Sequence, residues 1–269
     1  MRYIAGTFRY IFKNFIFLFA FVLIPSYFLT ASGDPADIRA IIDSFVAGGE
    51  RAEFREVFAF FSPLNDRGWA FALICFAAVI VCFPMLFGFI EKHMRLGLRT
   101  WKGIAGRFNF NFLTTLAVFF VCIALYEVWA LLAAGLIYAE TLLLQGIAGS
   151  IAALVTAVGM VALLCYLIST FLLWLPCLQI TGYSYMDALV YSNSLAARKK
   201  GKIFLSLFLP CAAGYAARGL IVAFVQNGAA AFVITELVYL FLILYICVLM
   251  FVVYFDAAGE ERMDLNKKF

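Results

Sequence analysis

The chain has 269 residues, of which 66% are hydrophobic and 13% charged, about half the charged share usual in a soluble domain. Such a chain cannot hide its apolar surface in a water-soluble core, so lipid has to cover it. The net charge of +4 is small and divided among short clusters, which argues against nucleic acid as a partner. A single histidine, His93, argues against histidine-based metal sites and against Ser–His or Cys–His catalysis. The cysteines (Cys75, Cys82, Cys122, Cys165, Cys177, Cys211 and Cys247) form no CxxC pair and read as small packing residues.

Six apolar segments, at about 14–30, 69–90, 110–137, 147–176, 203–226 and 230–255, are each long enough to cross roughly 30 Å of hydrocarbon. The first has features of a signal peptide, with Arg2, Arg9 and Lys13 ahead of the apolar stretch and Ala31-Ser32-Gly33 after it. Its length favours an uncleaved first span. The 31–68 connection follows, with seven acids and four arginines. Asp34-Pro35 has the form of a helix start, Ile38, Ile41, Ile42 and Phe45 recur at helical spacing, and Gly48-Gly49 stops the run. A second stretch puts Phe54, Val57, Phe58 and Phe61 on one face, with Glu50, Arg51, Glu53, Arg55 and Glu56 elsewhere. Two short amphipathic helices on the outer surface account for this pattern, either lying at the interface or capping a cavity between the spans.

The remaining connections are basic. Lys92, Arg95, Arg99, Lys102 and Arg107 lie in the 91–109 loop, and Arg198, Lys199, Lys200 and Lys202 in the 177–202 loop. Arg262, Lys267 and Lys268 lie in the tail, and with the N-terminal cluster these make fifteen of the twenty basic residues on one side. Both termini are therefore expected in the cytoplasm. Lys92, Arg95, Arg99, Lys102, Arg198, Lys199, Lys200 and Lys202 are candidates for holding anionic lipid headgroups. His93, among these cations, reads as a solvated interfacial residue. Each odd span is preceded by a basic, aromatic stretch, and a short interfacial helix before each one would explain a weak threefold pattern.

Charge at membrane depth is costly, so Glu127, Arg218 and Glu236 stand out inside the spans. Arg218 and Glu236 flank Asn227-Gly228 at nearly equal distance, which in a helical hairpin places them at one depth. They read either as a buried ion pair orienting two helices, with Glu127 a third member, or as an outward-facing polar site with Tyr126, Tyr215 and Tyr239 nearby. Gly149, Ala153 and Ala157, and Ala213 and Ala217, recur at four-residue spacing and suit close helix packing. Pro25, Pro84, Pro176 and Pro210 can kink the spans that hold them. No phosphate loop, HExxH, GxSxG or paired-carboxylate motif occurs, and no cofactor or metal is implied.

Between the fourth and fifth spans the chain reads MDALVYSNSLAARKKGKIF, where Ala188, Leu189, Ser192, Gly201 and Lys202 match an A-L-x-x-S…K-G-[KR] element. In the tail, YFDAAGEERMDL matches a Y-Y-D-L-R…E-G-x-D-L ending at Tyr254, Asp256, Glu261, Asp264 and Leu265, and departs from it at Ala257 and Ala258. These elements resemble bacterial six-span proteins grouped with the glycerophosphoryl diester phosphodiesterase membrane domain. The resemblance implies the fold, the topology and an association with envelope lipids; without a catalytic domain it does not imply phosphodiesterase activity. The expected fold is all-α, a single domain of six membrane helices in a bacterial cytoplasmic membrane. The expected function is a non-enzymatic membrane module that assists or anchors envelope components and engages lipid. A transporter or permease subunit using the outward polar site is the alternative, and a lipid-modifying enzyme a third. Membrane lipids, other membrane proteins or a second copy of the chain are the expected partners.

Overall fold

Backbone polar groups in hydrocarbon have to be satisfied within their own segment, so apolar runs of this length fold as helices. The computed structural model describes residues 2–35, 38–39, 53–65, 68–144 and 146–266. Most of the first helix expected in the 31–68 connection, including Ile41, Ile42, Phe45 and Gly48-Gly49, lies outside the described residues, as do Glu50, Arg51, Lys267 and Lys268. Within them the helices are α1 (Arg2–Ser32), α2 (Phe54–Phe61), α3 (Trp69–Leu96), α4 (Ile104–Leu143), α5 (Gly146–Phe171), α6 (Trp174–Thr181), α7 (Tyr185–Ala197), α8 (Lys200–Phe224), α9 (Gly228–Ala258) and α10 (Met263–Asn266). Six segments are long and apolar enough to cross a membrane: α1, α3, most of α4, α5 continued into α6, α8 and α9. The chain is a multi-pass integral membrane protein.

Two local features depart from the expected pattern. The fourth span is broken at Leu172-Leu173, where α5 ends and α6 begins. Pro176 lies in the first turn of α6, where its missing N–H is no loss, and its ring crowds the carbonyl of Leu172, which favours the break there, although Pro25, Pro84 and Pro210 sit inside unbroken helices. Separate interfacial helices before each odd span are not found. α1 runs unbroken from Arg2 and α4 from Ile104, because nothing in either basic stretch interrupts the helix; only α8 is preceded by a separate helix, α7. Left-handed glycines stop α3, α6 and α9 at Gly97, Gly182 and Gly259, with φ of 66°, 71° and 71°.

The six crossing helices form a closed ring in the order α1, α3, α4, α5, α8, α9, with α9 returning to α1. An even number of crossings brings the ends of the chain together, and the Tyr3 hydroxyl donates to the Asp256 carboxylate across α1 and α9. We call this the terminal end and its opposite the far end. In the terminal half, α6 lies inside the ring and touches both α4 and α9. Leu172, Leu173, Leu175, Cys177 and Leu178 join Phe87, Val248, Phe251 and Tyr254 in one core. Residues 247–255 of α9 are buried without a break, as expected of a helix enclosed on all sides. Ala188 and Ser192 of α7 are fully buried, which gives the ALVYS segment a packing role.

At the far end, α2 packs on α4 and α5. Val57 is buried against Ala134 and Ile137, and Phe58 and Phe61 pack against Trp129, Ala130 and Ala133. The small residues Ala153 and Ala157 of α5 complete this contact. The α4 helix, at 40 residues, is about 60 Å long, roughly twice the hydrocarbon thickness.

Candidate functional site

The far-end polar residues are positioned by the ends of three helices. Arg218 lies close to the far end of α8, and its Nη2 donates to the Gly33 carbonyl just past α1 at 3.3 Å. An added Cβ at position 33 would stand 3.0 Å from Nη2, so a larger residue there would push the guanidinium aside by a few tenths of an ångström. The guanidinium also lies over the Tyr239 ring of α9, 5.5 Å from its centroid. Its Nε is buried with no hydrogen-bond partner among the described residues.

The direct contact expected between Arg218 and Glu236 is not formed. Among the described residues no ion pair joins them, and Glu236 makes no hydrogen bond. Equal distance from the Asn227-Gly228 turn sets depth, but the rotation of α8 turns the guanidinium toward Gly33 and Tyr239. Glu127 is held elsewhere. The Ser62 hydroxyl donates to its Oε2 at 2.6 Å, and the neighbouring Tyr126 hydroxyl donates to the Phe61 carbonyl at 2.6 Å. Together they clamp the end of α2 to α4, while Glu127 Oε1 is buried without a partner among the described residues.

Tyr126 of α4, Tyr215 and Arg218 of α8 and Tyr239 of α9 lie within electrostatic reach of one another. In the ring α5 stands between α4 and α8, so Tyr126 and Tyr215 approach each other across its interior. Tyr215 is 43% exposed, whereas the span residues of the terminal half that face α6 are buried. A partnerless Nε and tyrosine hydroxyls are groups that hold an oxyanion.

Arg39 is a second far-end cation, one that sequence reasoning passed over. Its Nε donates to the Val222 carbonyl at 2.8 Å and its Nη2 to the Val225 carbonyl at 2.7 Å. These are carbonyls that the end of α8 leaves unsatisfied. The uncapped helix end was legible, but not which arginine would reach it.

At the terminal end the eight headgroup candidates divide. Lys199 Nζ donates to the Asp256 carboxylate and carbonyl, each at 2.7 Å, and so joins α8 to α9. Lys92 donates to the Lys102 carbonyl at 2.7 Å, Arg95 lies 3.5 Å from Glu91 one turn back, and Lys200 sits over the Tyr166 ring at 4.1 Å. Arg99 is half-buried. The side chains of Lys102, Arg198 and Lys202 are exposed, with no hydrogen bond or ion pair among the described residues.

His93 is not a solvated residue. It is 2% exposed, and its Nδ1 lies 3.0 Å from the Tyr10 hydroxyl. The cause is the tail, in which α10 folds back onto α3 and Arg262 holds Asp264 in a two-point pair at 3.1 and 2.8 Å. No family model, curated protein or solved structure matches this chain.

Proposed function

We propose that this multi-pass protein is a non-enzymatic module of a bacterial cytoplasmic membrane that assists or anchors other envelope components and engages anionic lipid. Its termini face the cytoplasm in this reading. The division of basic residues supports that orientation, because the N-terminal cluster, the 91–109 and 177–202 loops and the tail all belong to the terminal end. The helix α2 and the 31–68 connection then lie on the outer side.

The observation that carries the reading is the character of the terminal end. Its interior is filled by α6 and α9, while Lys102, Arg198 and Lys202 stay exposed around it. A packed core with a basic rim suits a surface that gathers acidic headgroups, each basic side chain contributing about 1 kcal/mol. The resemblance to the phosphodiesterase membrane domain fits this use. Asp256, a matched tail position, joins α8 to α9 through Lys199, and Asp264, another, pairs with Arg262 inside the tail segment that packs on α3.

Purification in mild detergent, with quantitative comparison of the retained lipid and the total membrane extract, tests the proposal. Acidic phospholipid should be enriched severalfold. Retained lipid at the bulk ratio would count against it.

A second reading, a transporter or permease subunit, is favoured by the unpartnered Nε of Arg218, which lies over the Tyr239 ring and within electrostatic reach of Tyr126 and Tyr215. In proteoliposomes Arg218→Met would then abolish uptake of an organic anion without unfolding the protein. Equal uptake by both forms would remove this alternative.

A further inference from the structure

A cleft of about 550 Å³ opens at the terminal end, between the start of α1 and the tail. One of its walls is a stripe of α1. Arg2, Gly6, Arg9 and Lys13 fall at successive spacings of four, three and four residues and therefore share a helix face. The adjoining stripe of Tyr3, Thr7, Tyr10 and Asn14 is buried in the bundle, which turns the basic stripe toward the cleft. Gly6 lines the cleft between the cations, and its missing side chain leaves a hollow there, with open space where a Cβ would project.

The carboxylates of the opposite wall are already engaged. Asp256 accepts from Tyr3 and Lys199, Asp264 holds Arg262 at two points, and Glu260 accepts from the Tyr254 hydroxyl at 3.2 Å. Arg2 and Arg9 form no hydrogen bond or ion pair among the described residues. The cleft therefore carries surplus positive charge, and the N-terminus of α1 adds its partial positive charge to it. Val252 and Leu265 give it apolar surface beside the cations. Lys13 is the last charge before the apolar stretch of α1, so the cleft sits at the depth of a lipid headgroup.

We infer that this cleft is a binding site for one organic phosphate group, held by Arg2 and Arg9 over the hollow at Gly6. The inference rests on the lipid-engaging reading above and gives it a single site in place of a diffuse basic rim. The bound phosphate belongs either to a glycerophospholipid or to a free phosphomonoester, and the two sources separate experimentally.

Native mass spectrometry of the full chain released from phosphatidylcholine nanodiscs containing phosphatidylglycerol should show one retained phosphatidylglycerol. Arg2→Gln and Arg9→Gln should each weaken retention roughly tenfold, as loss of a charge-assisted hydrogen bond does. Gly6→Leu leaves the charge unchanged and occupies the hollow, so it should abolish the one-to-one species while the thermal unfolding midpoint in pure phosphatidylcholine stays at the wild-type value. Arg95→Gln with Lys200→Gln, at side chains that already face Glu91 and the Tyr166 ring, should leave that species intact.

Glycerol 3-phosphate added in neutral detergent serves as the second probe. Protection against unfolding that disappears in Gly6→Leu would support the site with a free phosphomonoester as its source. Retention of phosphatidylglycerol without such protection would support it with lipid as the source. Wild-type retention by Gly6→Leu, or equal losses from every basic substitution, would overturn the site. Bulk enrichment of acidic lipid that persists in Gly6→Leu would overturn the site and leave the broader reading standing.

Discussion

Arg218 shows how far depth alone carries a prediction. Matching distances from the Asn227-Gly228 turn put Arg218 and Glu236 at one level, yet the guanidinium turns to the Gly33 carbonyl and the Tyr239 ring. Coupling between the two should therefore be small. Arg218→Met and Glu236→Gln should add within about 0.5 kcal/mol in detergent unfolding, because no direct contact joins them. Ser62→Ala and Glu127→Gln should instead show a coupling of about 1 kcal/mol, the usual net value of a hydrogen bond. A large Arg218–Glu236 coupling would indicate a bridged pair. The three charged positions inside the spans were legible in the sequence, since charge in an apolar run is conspicuous. The partners of Arg218 and Glu127 were not, because Gly33 and Ser62 belong to a connection whose path no periodicity encodes. His93 failed for a related reason, since its burial depends on a tail whose return could not be read from the residues around it.

Among the elements, α2 was anticipated from the spacing of Val57, Phe58 and Phe61, and the structure supplies what that face meets. It docks on α4 and α5 near Ala130, Ala134 and Ala153, where small residues leave room for it. Val57→Asp should undock the helix, because a charge placed in that apolar contact has no partner. Protease access near Glu53 should rise and the unfolding midpoint should fall. Phe60→Asp, at a position 37% exposed, should behave close to wild type. Equal protease access in both variants would mean that α2 is held only by its ends. The break between α5 and α6 was less legible. Pro176 signalled a possible kink, but only the packing of α6 inside the ring turns that kink into the element that fills the terminal half.

For the whole molecule, reporter fusions after Phe269 and within the Gly48-Gly49 segment should report opposite sides of the membrane, with the C-terminal one cytoplasmic. Both on one side would overturn the orientation. Length, apolarity and flanking charge were enough by themselves to predict six crossings, a common end for both termini and the polar positions inside the spans. Those properties are one-dimensional, and the bilayer reads them along the chain. The order of helices in the ring, the packing of α6 against α9, the turn of Arg218 toward Gly33 and the cleft beside Gly6 were decided by tertiary structure alone. The physical reason is that lipid is as apolar as the helix surfaces, so hydropathy does not say which face of a helix turns inward. Close packing at small residues, the capping of the α8 end by Arg39, the Ser62–Glu127 hydrogen bond and the Lys199–Asp256 ion pair make that choice, and each joins residues far apart in the chain.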